Sequence, residues 1–160
     1  MGFAASLFLS DPETTDRLGR AIAAALKPGD TLLLEGQIGA GKTHLARAII
    51  QNLTQLTGGP PTDVPSPTYT LVQTYDFPDI RLWHADLYRL GDASELAELG
   101  LDDAMGTDIV LIEWPDRLDI APAGALKISL SVEDQGRRVS LTSTSDRWAA
   151  LGAIDEQIDA

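Results

Sequence analysis

A glycine-rich segment that ends in lysine and threonine is the first feature whose residue types and spacing suggest chemistry. Gly36, Gly41, Lys42 and Thr43 satisfy the pattern G-x-x-x-x-G-K-[ST], and Gly39 lies between them. In such a loop successive backbone N–H groups point at phosphate oxygens, the lysine neutralises the β and γ phosphates, and the hydroxyl contributes one Mg²⁺ ligand. The sequence therefore predicts that residues 36–43 bind the phosphates of a nucleotide, with Lys42 exposed at the end of the loop.

A Mg²⁺ ion at such a loop needs a carboxylate from a second buried strand, and two residues are candidates. Glu113 closes the apolar run 109–112, and Asp86 follows the run 80–85. Each would lie at the carboxyl edge of a parallel sheet, where ligands bind. The alternative for each is a strand-end acid that only caps the backbone or meets solvent. Four other acids are predicted to be surface or helix-end charges: Asp102, Asp103, Asp108 and Asp116.

Three further polar residues are candidates for the same region. Thr68 lies in the segment 66–70, which comes after an irregular loop and begins a strand. In nucleotide switches a loop hydroxyl responds to the γ-phosphate and Mg²⁺, and Thr68 is the candidate for that role. The alternative is a threonine that satisfies only local backbone. His44 comes directly after Thr43 and is predicted to be solvated or just outside the ligand contacts. His84 is predicted to be a partly buried structural histidine rather than a general base.

Strand-like and helix-like patterns alternate along the chain and define the elements that must position these residues. We predict a helix that begins at Ser10 as its cap, with an apolar face at Leu18, Ile22 and Leu26. A strand at 31–35 precedes the glycine-rich segment and a helix at about 42–56 follows it. The remaining predictions are strands at 69–75 and 80–87 joined as a hairpin, a helix at 92–104 that Gly100 divides, a strand at 109–112, a hairpin of 126–132 and 138–144, and a helical tail after Asp146.

These elements predict one α/β domain over residues 1–160. The expected architecture is the three-layer P-loop NTPase fold, with a central, mostly parallel sheet and antiparallel edge strands.

Composition limits the partners and the chemistry. The chain has 160 residues and 44% hydrophobic content, which is enough for one core of its own. Its formal charge of −12 disfavours direct binding to a nucleic acid, so any link to RNA is expected to be indirect. Cysteine-based chemistry is excluded because the chain has no cysteine. No apolar run is long enough for a membrane span and no basic head of a signal peptide is found, so a cytoplasmic location is expected.

The order and spacing of four motifs resemble a known family. The runs GQIGAGKTHLAR, SPTYTLVQTY, HADLYRL and LIEWPDRL are together similar to the bacterial TsaE family, formerly called YjeE. Its members are small ATPases needed for the threonylcarbamoyl modification of adenosine in tRNA. The resemblance extends from the helix near Thr14 to the hairpin that contains Arg137, and His44 departs from the threonine common at its position.

The resemblance implies a role for each matching residue. Thr43 and Glu113 would bind Mg²⁺, Thr68 would lie near the γ-phosphate, and Asp86 would act in hydrolysis. Trp114 would shape the nucleotide site or a partner surface. An arginine would reach the nucleotide, and Arg137 and Arg138 are equally possible registers. The residues predicted around ATP are therefore Gly36, Gly39, Ala40, Gly41, Lys42, Thr43, His44, Trp114 and Arg137, and those predicted to act in hydrolysis are Lys42, Thr68, Asp86 and Glu113.

The resemblance also implies partners. The ATPase would bind the complex of the TsaD transferase with TsaB and drive its turnover, without transferring the carbamoyl group itself. A small P-loop metabolite kinase is the main alternative, but only Arg81, Arg89 and Arg117 are available for the basic lid it would need. A guanine-nucleotide switch is the second alternative, but the Asn-Lys-x-Asp element that reads guanine does not occur in this sequence. A binding module that does not hydrolyse nucleotide is the third alternative.

Overall fold

A computed structural model of the chain describes residues 2–60, 63–92, 94–118 and 122–154. Within these residues the elements are β1 (Phe3–Leu9), α1 (Pro12–Ala25), β2 (Thr31–Gly36), α2 (Lys42–Leu56), β3 (Val72–Phe77), β4 (Ile80–Asp86), α3 (Glu95–Leu99), α4 (Leu101–Ala104), β5 (Ile109–Glu113), β6 (Leu126–Glu133) and β7 (Gly136–Ser143), with 3₁₀ helices at Pro115–Arg117 and Asp146–Ala153. None of the helices in these ranges is long and apolar enough to cross a membrane.

One mixed sheet contains all of these strands, in the order β1-β7-β6-β2-β5-β4-β3. The four central strands, β6, β2, β5 and β4, are parallel to one another. β3 pairs antiparallel with β4, and the β6-β7 hairpin and β1 add antiparallel pairs at the other edge. The prediction of a mostly parallel centre with antiparallel edges is therefore confirmed, and the carboxyl ends of β2, β4 and β5 meet at one edge of the sheet.

Helices cover both faces of the sheet. Side chains alternate along a strand, so Ile109 and Leu111 of β5 pack in one core with α1 and α2, while Val110 and Ile112 pack in a second core with α3 and α4. Every residue of β5 is buried, as expected for a parallel strand between two layers. The predicted three layers are present, and α2 lies on the same face as the odd-numbered residues of β5.

The N-terminal segment differs from the prediction. Residues 3–9 form an edge strand that the sequence analysis did not identify, although Leu7 and Leu9 alternate with more exposed residues as a strand requires. Helix α1 is capped by Asp11 rather than Ser10, because the Asp11 side chain accepts from the backbone N–H of Thr14 at 2.8 Å. The Thr14 hydroxyl in turn accepts from the Asp11 N–H at 3.2 Å.

Two other boundaries follow from backbone conformation. β3 begins at Val72 rather than at residue 69, because a turn closed by a 2.7 Å hydrogen bond from Leu71 N–H to Pro67 O occupies the preceding residues. Gly100 has a φ of 86° and separates α3 from α4, as predicted. Within the predicted helical tail, Asp146–Ala153 form a 3₁₀ helix whose Trp148 packs into the core with α1 and α2, and residues 155–160 lie outside the described residues.

Candidate active site at the carboxyl ends of β2, β4 and β5

The glycine-rich loop follows a backbone path that side chains would block. Gly36 has a φ of 147°, and a Cβ added there would lie 2.5 Å from the Leu130 carbonyl oxygen. Gly39 and Gly41 also have left-handed backbones, at φ values of 84° and 104°. The space beside Gly39 is open, since an added Cβ would meet nothing within 4 Å. The loop therefore reaches the start of α2 along a left-handed backbone path with open space beside Gly39, and such a path before a helix N-terminus is typical of an anion-binding loop.

Lys42 is buried, which corrects the prediction of an exposed lysine. Its side chain is only 6% exposed, and Nζ donates to the carbonyl oxygens of Gly36 at 2.6 Å and of Gln37 at 2.9 Å. The ammonium also lies 4.2 Å from the centroid of the Trp114 ring. Burial lowers the pKa of Lys42, while the carboxylates of Glu113 and Asp86 oppose that shift. The carbonyl oxygens of the loop thus hold the Lys42 ammonium in a buried position. The local sequence pattern did not predict this burial.

The two candidate carboxylates lie side by side. In the parallel register β4 pairs Asp86 with Glu113, and β2 pairs Leu34 with Glu113. Glu113 is 2% exposed, and its Oε1 accepts a hydrogen bond from the Thr43 hydroxyl at 2.8 Å. Two residues separated by 70 positions are thus joined at the carboxyl edge of the sheet. This is the arrangement that the two predicted metal ligands require.

The other oxygen of Glu113 has a partner that the sequence analysis did not connect to the site. His84 Nε2 lies 2.7 Å from Glu113 Oε2. His84 is fully buried, which corrects the prediction of a partly buried ring. The pattern His84-x-Asp86 places both side chains on one face of β4 and was the signal available in the sequence.

Asp86 and Thr68 are hydrogen-bonded to each other. Asp86 is buried; its Oδ1 accepts from the Tyr88 backbone N–H at 3.0 Å and its Oδ2 from the Thr68 hydroxyl at 3.2 Å. The Ser66 hydroxyl lies 2.7 Å from the Thr68 hydroxyl. The loop hydroxyl therefore contacts a buried strand-end acid, which the alternative of a purely local threonine does not account for.

Trp114 forms a wall of the same region. It has a left-handed backbone at φ 60°, which turns the chain directly after β5. Its backbone N–H donates to the Leu34 carbonyl oxygen at 3.3 Å, and its ring packs against Tyr88 with centroids 4.9 Å apart. The indole is held between Tyr88 and the ammonium of Lys42.

Of the two arginine registers, Arg137 lies on the loop. Its Nε donates to the Ala40 carbonyl oxygen at 3.1 Å, and Nη2 donates to that of Gly39 at 3.3 Å. Arg138 instead forms two hydrogen bonds with Glu133, at 3.0 and 3.2 Å. Neighbouring residues of a strand point to opposite faces, so only one of the two arginines can reach the loop.

His44 was predicted to lie just outside the ligand contacts, and four further acids were predicted to be surface or helix-end charges. His44 Nε2 is 3.4 Å from Asp16 Oδ1 in a partly exposed pair. Asp102, Asp103 and Asp116 are exposed, as predicted. The prediction that Asp108 is a surface or helix-end charge is wrong, because its side chain is half-buried and accepts a hydrogen bond from Trp83 Nε1 at 2.9 Å.

Among the described residues, two cavities flank the loop. One, of about 380 Å³, lies over the loop and both acids. The other, of about 270 Å³, lies between the start of α1 and the β6-β7 turn. Gly41 and His44 line both of them, so the cavities meet at the N-terminus of α2. The first is lined by residues that include Lys42, Thr43, Thr68, Asp86, Glu113 and Trp114, and the second by residues that include Ser10, Asp11, Ala40, Gln135 and Arg137.

The donor set suits a magnesium ion that is shared with a phosphate ligand. Across the described ranges no group of three or more His, Cys, Asp or Glu side chains is arranged to hold a metal. Thr43 and Glu113 supply hard oxygen donors at one point of the cleft. Mg²⁺ keeps several waters and takes few protein ligands beside a phosphate, so two oxygen donors are sufficient.

Comparison with known proteins gives the family. The model for "Threonylcarbamoyl adenosine biosynthesis protein TsaE" matches residues 9–139. The chain belongs to the TsaE family. The match includes the glycine-rich loop, both strand-end acids and Arg137, so the resemblance drawn from the four motifs is confirmed.

Individual relatives cover nearly the whole chain. A protein of Rickettsia felis named tRNA threonylcarbamoyladenosine biosynthesis protein TsaE is 35% identical over 91% of this chain and 83% of its own length. A protein of the same name from Bacillus subtilis is 35% identical over 88% of this chain and 87% of its own length. The crystal structure of YdiB from Bacillus subtilis matches with a TM-score of 0.72 and 27% identity, over 100% of this chain and 99% of that one. The fold is therefore shared with an experimentally solved structure.

Proposed function

We propose that this protein is a Mg²⁺-dependent ATPase of the P-loop NTPase fold that takes part in threonylcarbamoyladenosine modification of tRNA. The observation that carries the ATPase proposal is the 2.8 Å contact between the Thr43 hydroxyl and the Glu113 carboxylate beside the glycine-rich loop. The part played in tRNA modification is supported by the names of the family and of its relatives.

The loop and two cations would bind the triphosphate. Backbone N–H groups of residues 39–43 and the positive end of α2 attract phosphate oxygens. Lys42 is held at the loop by two carbonyl oxygens, so its ammonium needs only a small movement to contact an anion there. Arg137 adds a second positive charge at the Ala40 and Gly39 carbonyls. The site can therefore bind an anion although the chain carries a formal charge of −12.

Thr43 and Glu113 would hold the metal through their hydroxyl and carboxylate oxygens. When bound, Mg²⁺ neutralises the charge that develops on the phosphates during transfer. Glu113 is kept in position by hydrogen bonds at both oxygens.

Asp86 and Thr68 would position the water that attacks the γ-phosphorus. Asp86 is buried next to Glu113, and its Oδ2 already accepts the Thr68 hydroxyl. A carboxylate at this point can accept a proton of the water, while the threonine hydroxyl orients it. The water oxygen bonds to phosphorus, the bond to the β–γ bridging oxygen breaks, and ADP and phosphate are released.

The second cavity would take the sugar and the base. It joins the phosphate loop at Gly41 and His44, so a nucleotide anchored by its phosphates extends into it. The guanine-reading Asn-Lys-x-Asp element is missing from the sequence, which favours adenine.

The partner would be the complex of TsaB with TsaD, in the cytoplasm, with tRNA contacted only through that complex. Tyr69 is 82% exposed and Ile38 is 74% exposed, and they flank the cleft in the switch-like segment and in the loop. Exposed aromatic and apolar side chains of this kind suit a protein partner rather than a phosphate backbone.

The test is a calorimetric titration with ATP and with GTP, each with and without Mg²⁺, followed by measurement of phosphate release with and without TsaB and TsaD. We expect tight binding only of ATP and slow hydrolysis that rises with the partners, because the segment 66–70 completes the site. Lys42→Met should abolish binding and Arg138→Ala should not. Equal affinity for GTP would contradict the ATPase proposal, and transfer of the phosphate to a metabolite instead of water would indicate a kinase.

A further inference from the structure

His84 is a buried titratable residue that the hydrolysis mechanism proposed above does not use. Its ring is fully buried in β4, and Nε2 lies 2.7 Å from Glu113 Oε2. Its other nitrogen, Nδ1, is buried and has no hydrogen-bond partner within the described part of the chain. A polar ring in such surroundings costs free energy unless its one hydrogen bond compensates. The contact with Glu113 is therefore the interaction that explains a histidine at this point.

Strand register makes this contact specific to Glu113. β4 pairs His84 with Leu111 of β5, so Glu113 lies two residues further along on the same face. Diagonal neighbours of this kind are within reach of long side chains. The two carboxylate oxygens are then divided between two donors, since Oε1 accepts from Thr43 and Oε2 faces His84. The carboxylate plane is fixed at both ends.

The proton of the ring belongs on Nε2. Both lone-pair oxygens of a carboxylate are acceptors, so the contact needs a donor at Nε2.

We propose that His84 is a positioning residue that orients Glu113 for the divalent cation. This inference rests on the proposed function, because it concerns how strongly the metal binds once nucleotide is present. Partners that orient a ligating carboxylate typically change metal affinity about 10- to 100-fold when they are removed. His84 would contact neither the nucleotide nor the metal and would act through Glu113 alone.

The experiment compares His84→Gln with His84→Asn. The glutamine amide nitrogen reaches the position of Nε2, while the asparagine amide nitrogen reaches only that of Nδ1, which has no partner. Each variant buries one amide, so the pair differs in where the donor lies. Mn²⁺ binding is measured by electron paramagnetic resonance at saturating non-hydrolysable ATP analogue, and analogue affinity is measured separately in chelator. We expect glutamine to bind Mn²⁺ within about threefold of wild type and asparagine about 10- to 100-fold more weakly, with analogue affinity in chelator unchanged for both.

A second measurement uses nitrogen-15 NMR of the histidine rings. The chain has two histidines, so signals that disappear in His84→Gln belong to His84. We expect a proton on Nε2, the ring nitrogen that faces Glu113 Oε2. If His84→Asn does not fold, the Mn²⁺ affinity of His84→Gln and the protonation of the wild-type His84 ring decide the question.

Each contrary result has a distinct meaning. Equal Mn²⁺ affinity of the two variants, a glutamine variant more than about tenfold weaker than wild type, or an unprotonated Nε2 would overturn the positioning role. If wild-type protein with the analogue binds no Mn²⁺ at all, the proposed function itself fails, and this outcome is distinguishable because it does not depend on His84.

Discussion

Replacement of Glu113 by glutamine should separate metal binding from folding. In the metal-free protein the glutamine can keep both hydrogen bonds, because its carbonyl can accept from His84 Nε2 and its amide can donate to the Thr43 hydroxyl. Two charge-assisted bonds then become neutral ones, at a loss of about 1 kcal/mol each. Removal of a buried negative charge next to Asp86 offsets that loss. The free energy of unfolding should therefore change by about 1 kcal/mol or less.

Replacement of Glu113 by alanine is the matched comparison. It leaves the His84 N–H and the Thr43 hydroxyl without their partner in a largely buried place. An unsatisfied buried group costs about 1–3 kcal/mol, so the two groups together should lower the free energy of unfolding by about 2–6 kcal/mol. Both variants remove the carboxylate, so both should lose metal-dependent nucleotide binding.

The assay combines guanidinium denaturation in chelator with titration of Mn²⁺ in the presence of an ATP analogue. We expect Glu113→Gln to retain the stability of the wild type and to lose at least about 100-fold in Mn²⁺ affinity. The reasoning would be refuted if the glutamine variant bound Mn²⁺ as the wild type does. It would also be refuted if glutamine destabilised the fold as much as alanine, because the two hydrogen bonds would then not survive in the neutral side chain.

Three further predictions concern the loop, its lysine and the helix packing. Arg137→Ala should weaken ATP binding about tenfold in calorimetry, the value of one charge-assisted hydrogen bond. Burial lowers the pKa of Lys42 below 10.5, so ATP affinity should fall at a lower pH than the titration of an ordinary lysine would predict. Between the folded-state pKa and 10.5 the unfolded chain binds more protons than the folded chain, so the free energy of unfolding of the ligand-free protein should rise with pH in that range. Gly19→Ala should cost about 1–3 kcal/mol in guanidinium denaturation, because its Cβ would lie 2.6 Å from Ala48 Cβ.

Controls for these predictions lie in the same chain. Arg138→Ala should leave ATP affinity unchanged, and a loss equal to that of Arg137→Ala would show that contact with the loop is irrelevant. Lys42→Arg should move the alkaline fall in affinity to higher pH, and an unchanged profile would assign the fall to another group. Gly152 is exposed with open space around it, so Gly152→Ala should change stability by about 0.5 kcal/mol or less. The loss of stability caused by Gly19→Ala must exceed that value.

Local patterns were sufficient for much of the architecture. The helix predicted at 42–56 is α2, and the apolar run at 109–112 is β5 with Glu113 as its last residue. These features repeat with the period of a helix or form a continuous apolar run, so neighbouring residues carry the signal. The strand at residues 3–9 was missed because an edge strand depends on pairing with β7, which lies more than 120 residues away.

The amino-acid sequence alone specified the glycine-rich loop, the candidate acids and the family, because these depend on residue types at short spacing. Tertiary structure decided that Glu113 joins Thr43, that Asp86 joins Thr68, that Arg137 rather than Arg138 lies on the loop, and that Lys42 and His84 are buried. The physical reason is that strand order and register are set by packing of the whole sheet, and a shift of one residue would turn the strand residues His84, Asp86, Glu113 and Arg137 to the opposite face.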